Sequence, residues 1–382
     1  MRSTVATIDL DALEWNLGVI RRHTPGKAVL GMVKANAYGH GIIQISRALQ
    51  ACGVEMLGTA LVDEAILLRA AGITIPIMVL TPVEPHECLA AVEHNLITVA
   101  CDLSQVRALG EAAVSLGKHA EVHLYVDTGM HREGFRPHDA ASAALEIRSV
   151  SGINLTGICT HFATADDPNS PFLHEQLSTF NEVRKQCEAV GCTFAAVHAA
   201  NTGAMWQSEQ THFSMVRPGL SLYGYASPGN EAMTLRPVMS LASRIISMRR
   251  AWPGETVSYG RRYMVTSETT IVTVPVGYGD GYMRRLTGTA ECLISGERYP
   301  VVGSICMDEL MVDVGNADVH LGDEVVLLGR QVRSDGHLNS IDAVEIAAWA
   351  STIPYEITTT ISARVPRSFT GRLATQPGIL TS

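Results

Sequence analysis

The sequence predicts an α/β chain in two parts, an eight-stranded parallel (β/α)8 barrel of the TIM type followed by a mostly β domain. Three observations predict it. Residues 28–224 hold eight short apolar runs rich in β-branched residues. Amphipathic stretches of helical length separate most of those runs. After about residue 234 the texture changes to closely spaced strand-like segments divided by turns.

The eight runs cover residues 28–34, 56–61, 75–80, 97–101, 120–127, 153–161, 194–201 and 215–224. Helical patterns lie between them at 41–52, 62–71, 103–117, 137–150 and 171–190. Strands that alternate with helices pair in parallel, because each crossover returns the chain to the same edge before the next strand starts. A count of eight suggests closure into a barrel. An open doubly wound sheet is the alternative if one run is wrongly split or merged. The second part reads as strands at 239–249, 256–259, 269–276, 291–294, 299–305, 310–314 and 324–328, with one helix-like stretch at 340–350. Turns such as Pro253-Gly254, Ser295-Gly296 and Leu321-Gly322 separate them. The boundary implied is 1–234 for the barrel and 235–382 for the β domain.

Composition narrows the function. With 46% hydrophobic and 18% charged residues, the 382-residue chain can bury large cores. A net charge of −9 argues against a nucleic-acid or anionic-membrane partner. It leaves room for an anionic cofactor, since local cations and helix N-termini hold phosphates inside acidic proteins. The eight cysteines form no C-x-x-C pair, so a reducing compartment, the cytoplasm, is the expectation. The N-terminus shows no apolar signal core, and no apolar run reaches membrane-spanning length. The spacings of His119, His123, His131 and His138 match no ligand set, so no metal is expected.

Five polar motifs fall at predicted strand ends. In a barrel these ends converge on one face, where catalysis is done. The first is Val33-Lys34-Ala35-Asn36-Ala37-Tyr38-Gly39-His40-Gly41. A desolvated Lys34 could form a Schiff base, though a strand-end lysine can also simply point into water. The second, Asp127-Thr128-Gly129-Met130-His131-Arg132, offers a guanidinium that can fork onto a carboxylate or phenolate. The third holds His161, which alone reads best as a structural histidine. The fourth, His198 to Gly203, places Asn201 and Thr202 where donors to a phosphate would sit. The fifth contains Arg217 and Gly219-Leu220, the glycine permitting close backbone approach to a ligand. Phosphate sites in this fold commonly lie at strands seven and eight.

The first motif resembles the cofactor-lysine segment of the alanine racemases. The similarity runs from Ile8-Asp9-Leu10 to Ile361-Ser362-Ala363-Arg364-Val365-Pro366-Arg367. The resemblance implies pyridoxal 5'-phosphate as cofactor and a small amino acid as substrate. It implies a homodimer whose subunits complete each other's sites, and an N-terminal strand, roughly the first eight residues, that joins the β domain. Lys34 is then the Schiff-base lysine and one acid/base, and Tyr259 the opposing one, from the other subunit. Tyr38, Tyr355, Thr202, Gly219 and Leu220 match phosphate-binding positions. Arg217 matches the arginine at the pyridine nitrogen. Arg132 matches the arginine near the phenolic oxygen and the substrate carboxylate. His161 matches a histidine that orients Tyr259 and is linked to Arg217. Met307 matches the backbone amide that receives the carboxylate, and Tyr278 a tyrosine lining the approach to the site.

These residue types suit racemisation. A Cα–H bond is too weakly acidic for a side chain to break unaided, and the cofactor ring delocalises the charge left behind. Two acid/bases on opposite faces must then exchange the proton. A phenol is a weak base at neutral pH, so neighbours must tune it, and His161 with Arg217 beyond is a candidate. A guanidinium does not surrender its proton, so it leaves the ring nitrogen unprotonated. That weakens the electron sink and favours racemisation over transamination.

The chain departs from the family at Tyr125. Many members carry there a lysine, often carbamylated, whose carbamate holds the arginine corresponding to Arg132. The expectation is that Tyr125, a bound anion or some other carboxylate holds Arg132, and that activity does not need bicarbonate. Ser304 stands where members often have arginine. A serine or broad-specificity racemase of the same fold is the nearest alternative, since a methylene or hydroxyl changes binding little. A non-catalytic pyridoxal-phosphate carrier is the alternative of another class.

Overall fold

The computed structural model describes residues 2–226 and 234–380. They fall into two compact units. One comprises Leu13–Ala37 and Ile42–Arg236, and the other the chain up to Ala12, Tyr38–Gly41 and the chain from Pro237 on.

The first unit is a closed barrel of eight parallel strands. Its strands are Ala28–Met32, Met56–Thr59, Ile77–Val79, Ile97–Ala100, Ala120–Tyr125, Ile153–Cys159, Ala196–His198 and Met215–Val216. Closure is made by Ala28 opposite Met215 and Val29 opposite Val216. The open doubly wound alternative is therefore excluded. The runs read from sequence are longer than the strands they contain. Residues 215–224 hold only a two-residue strand, because Pro218 has no N–H to continue the ladder. Pro218 still offers its carbonyl, which accepts from Met32 N at 3.1 Å.

Helices pack around the strands by their apolar faces. In Ile42–Ala51 the buried Ile42, Ile45 and Leu49 recur at helical spacing. Asp102 caps Leu103–Ser115 by accepting from Gln105 N, and Asn201 caps Thr202–Gln207 by accepting from Ala204 N. The helices Cys88–Glu93 and Thr202–Gln207 lay outside the sequence reading, both being only six residues long.

The second unit is built on a ten-stranded sheet. Val5–Asp9 pairs antiparallel with Met239–Arg244 and parallel with Arg367–Thr370. Residues 239–249 are not one strand. Met239–Arg244 pairs with Glu324–Val332, while Ser247–Ala251 pairs with Thr269–Val274. The apolar pattern runs through Ile245 and Ile246, so periodicity could not show that the chain changes partners there. Leu241, Val272, Leu293, Val312 and Leu327 are all buried and belong to the core of this unit. Besides the expected helix, here Ala343–Ala350, a second one at Pro354–Thr359 precedes the closing strand.

Candidate active site

In the barrel unit the polar motifs follow the C-terminal ends of parallel strands, and so gather at one mouth. Lys34 comes two residues after the first strand ends. The next residues, Ala35, Asn36, Ala37 and Tyr38, all have φ between 53° and 55°. A left-handed turn of non-glycine residues costs roughly 1–2 kcal/mol per residue. Specific hydrogen bonds offset it: Glu64 Oε1 accepts from Ala35 N at 2.7 Å, and Asn36 Oδ1 from Ile42 N at 2.9 Å. The strained turn fixes where Lys34 begins. The protein walls around Lys34, and then the Arg132 guanidinium, hold its ammonium below the ordinary lysine range, while Glu64 and Glu133 act in the opposite sense.

Arg217, 5% exposed, is the hub of the mouth. Its Nη1 donates to His198 Nδ1 at 2.8 Å. Its Nη2 donates to Thr160 O at 2.8 Å, to Ala199 O at 2.9 Å and to His161 Nδ1 at 3.2 Å. All four acceptors are uncharged groups, because burial and Arg217 push His161 down to about 3 and His198 well below the histidine range. His198 reaches on to His123, with Nε2 and Nδ1 2.8 Å apart. Thr202 Oγ1 accepts from Gly219 N at 3.1 Å, tying the ends of strands seven and eight together. Asn201 gives its Oδ1 to the helix cap.

Arg132 sits in the loop after strand five. Its partner is the carboxylate of Glu133, whose Oε1 accepts from Nε at 3.2 Å and from Nη2 at 3.0 Å. Tyr125 is buried, with its phenol pushed above the ordinary tyrosine range, and its hydroxyl makes no well-formed hydrogen bond. Of the three holders expected for Arg132, the structure identifies the carboxylate as Glu133 and keeps Tyr125 beside the guanidinium, where both groups act to hold its charge.

In the other unit Tyr38 and Tyr355 pair their rings at 5.9 Å. Arg367 pins this segment by donating to Gly39 O from Nε at 3.1 Å and Nη2 at 2.9 Å. Tyr259, 74% exposed, lies on a turn in which Ser258, Gly260 and Arg261 have φ of 65°, 72° and 50°. Ser304 Oγ donates to Tyr259 O at 2.7 Å, and Ser258 Oγ donates to Ser304 O at 2.6 Å. Ser304 thus has a structural account that its sequence position did not supply. Tyr278 N donates to Cys306 O and Gly279 N to Met307 O, which places Tyr278 beside Met307.

Three groups escaped the sequence reading. Glu133 is the neighbour of a residue that was singled out. His123 lies inside an apolar strand, where its spacing to other histidines raises only the question of a metal. His198 was noted without a role. The signal for the last two was present, because a histidine at a barrel-strand position needs a buried partner.

Fold and site together define a barrel enzyme built around a desolvated lysine at the strand ends. Residues 8–227 match the family model for the alanine racemase N-terminal domain, and residues 238–369 that for the alanine racemase C-terminal domain. The chain belongs to the alanine racemase family. It is 40% identical over 376 residues to an alanine racemase of Geobacter sulfurreducens, covering 96% of this chain and 97% of that one. The crystal structure of alanine racemase from the D-cycloserine-producing Streptomyces lavendulae is 36% identical, with a TM-score of 0.91 over 97% of this chain and 98% of that one. The crystal structure of alanine racemase from Bartonella henselae, with covalently bound pyridoxal phosphate, is 25% identical, with a TM-score of 0.86 over 97% of this chain and 100% of that one.

Proposed function

We propose that this protein interconverts L-alanine and D-alanine, with pyridoxal 5'-phosphate carried on Lys34 and with Lys34 and Tyr259 as the two acid/bases. One observation carries the reading: Lys34 stands at the barrel mouth with its ammonium held below the ordinary range by burial and Arg132, as an amine that must bond a carbonyl requires.

The residues present fit the cofactor. Lys34 offers an amine. Arg217 offers a buried guanidinium that can only donate, suited to a ring nitrogen. Thr202, Gly219 and Leu220, with Tyr38 and Tyr355, are assigned to the phosphate, Asn201 to the cap beside it, and Arg132 to the phenolic oxygen. Bound there, pyridoxal phosphate supplies a conjugated ring that takes up the electron pair released when Cα–H breaks.

The chain's own residues do the rest. Arg132 and the backbone amide of Met307 receive the substrate carboxylate, and Tyr278 lines the approach. Lys34 Nζ takes or returns the α-proton on one face, and Tyr259 Oη does so on the other. His161, held neutral, keeps its proton on Nε2 because Nδ1 accepts from Arg217. It is assigned to orient Tyr259. Arg217 keeps the ring nitrogen unprotonated, which limits transamination.

Tyr259 is assigned to serve the site of a second copy in a homodimer. Tyr259 and Trp252, both exposed, line one hollow of the β unit, and a clustered exposed aromatic surface supports this. The domain division proposed is 1–234 and 235–382, the first residues joining the latter. The eight unbridged cysteines support a cytoplasmic setting. Among the described residues no helix is long and apolar enough to cross a membrane.

Chiral chromatography after incubating the holoenzyme with L-alanine, and separately with L-serine, tests the reading. D-alanine forming much faster than D-serine is expected. Dominant D-serine would move the function to another racemase, and no D-product would return the choice to a carrier protein.

A further inference from the structure

The loop that carries Arg132 is built to fix its neighbour. Asp127 Oδ1 accepts from Gly129 N and His131 N, both at 3.0 Å. Asp127 N donates to Phe135 O and Phe135 N to Tyr125 O, both at 2.9 Å, so residues 127–135 fold back on the strand end. Gly134 closes the loop at φ 104°, and a Cβ there would stand 2.5 Å from Tyr125 Cδ1. The backbone therefore lies against the Tyr125 ring, and the residue before Gly134 has little freedom.

That residue is Glu133. Neighbouring ion pairs are usually both exposed and contribute little. Here the carboxylate is the sheltered partner, 9% exposed against 50% for Arg132. A sheltered carboxylate is costly unless a cation holds it. Its charge is felt by Lys34, Tyr125, Cys101 and Cys159, which places it among the groups of the mouth rather than on the outer surface. Tyr125, the other group beside Arg132, is neutral in this environment. Lys34, Arg132 and Arg217 bring three cations to one mouth, and Glu133, with Glu64 near Lys34, offsets part of that charge.

We propose that Glu133 is the positioning residue for Arg132: its carboxylate holds the Nε and Nη2 edge of the guanidinium and leaves Nη1 for the substrate's carboxylate. The anchor is part of the chain, so no small anion is needed to complete it. This rests on the reading that the mouth receives an amino acid.

The test compares wild type, Glu133→Ala, Glu133→Gln and the double variant Arg132→Ala/Glu133→Ala as holoenzymes, with sodium formate as the probe. Glu133→Ala should raise KM for L-alanine about tenfold or more, the scale of a lost charge-assisted hydrogen bond. Formate should lower it again, saturably, and should raise the melting temperature of Glu133→Ala. Wild type and the double variant should show neither effect. A structural role alone would give no formate dependence. Unchanged KM in Glu133→Ala, or a loss that formate leaves unrestored with no shift in melting temperature, overturns the proposal. If Glu133→Ala does not fold, Glu133→Gln decides, and wild-type KM in that variant overturns it. Wild type that racemises nothing, beside a formate-stabilised Glu133→Ala, would sink the functional reading and leave the anchor standing.

Discussion

Arg217 Nη1 lies 2.8 Å from His198 Nδ1, and this contact orders the protons of a buried chain. A guanidinium can only donate, so His198 Nδ1 must accept and its proton sits on Nε2. That Nε2–H donates to His123 Nδ1, 2.8 Å away, which leaves the His123 proton on Nε2 as well. Both rings are neutral, His198 by burial and Arg217, and His123, pushed down to about 4, by the same two causes. A buried cation is thus held by neutral dipoles, which keep it in place without cancelling the charge it presents at the mouth.

The chain makes stability depend on pH. His123 is neutral when folded and titrates near 6.5 when unfolded. Between about pH 6.5 and 4 the unfolded state therefore binds the extra proton, and stability falls as pH falls. The slope is about 1.4 kcal/mol per pH unit for each such histidine. Denaturant unfolding at pH 7 and at pH 5 should show the protein weaker at pH 5. His123→Gln should have a shallower dependence than wild type, and an unchanged slope would refute the assignment.

Gly157 tests the packing behind the same chain. It has room for no side chain, because a Cβ would lie 2.6 Å from the His123 ring. Gly157→Ala should cost about 1–3 kcal/mol, as overpacking of a tight interior does. Gly191→Ala is the comparison, with φ 79° and nothing within 4 Å of the added carbon, so only backbone strain acts there. Denaturation midpoints of the two variants, each compared with its activity, separate the effects. Gly157→Ala should lose activity as well as stability, since the His123–His198 contact supports Arg217. Full activity would break that link.

The barrel was legible because its strands are buried on both faces and read as apolar runs. Lys34 was legible as a candidate because a strand-end lysine is rarely core filling, whereas Arg217, which is buried, was placed only by the family resemblance. Glu133 was not, since a carboxylate beside an arginine in sequence reads as solvated surface. Its carboxylate is only 9% exposed in the folded loop, a fact of three dimensions. The division at Ile245 was hidden for a similar reason. Alternation reports which face is buried, and does not say which strand lies alongside.

Tyr259→Phe removes one hydroxyl and leaves the ring. General acid–base catalysis contributes roughly 100- to 10,000-fold, and a loss in that range is expected in both directions of racemisation. Solvent-derived deuterium entering Cα separately from each enantiomer should become unequal, because only one face keeps its acid/base. Retention of wild-type rates both ways would refute the two-base assignment.

Ser304→Ala asks what holds Tyr259 in place. The Tyr259 side chain is exposed and its turn contains Ser258 and Arg261 at positive φ, so the backbone there needs an anchor. Ser304, buried beneath the turn, provides it by donating to Tyr259 O and accepting from Ser258 Oγ through its own carbonyl. Alanine keeps the carbonyl contact and loses the hydroxyl, which leaves Tyr259 O without a donor. A net cost of about 1 kcal/mol is expected for a hydrogen bond of this kind. The effect on catalysis should fall on kcat, by roughly five- to tenfold, with KM for alanine little changed, if the hydroxyl acts by positioning Tyr259 as the proposed acid/base. Loss confined to KM would show that Ser304 acts through substrate binding at the neighbouring Met307 instead.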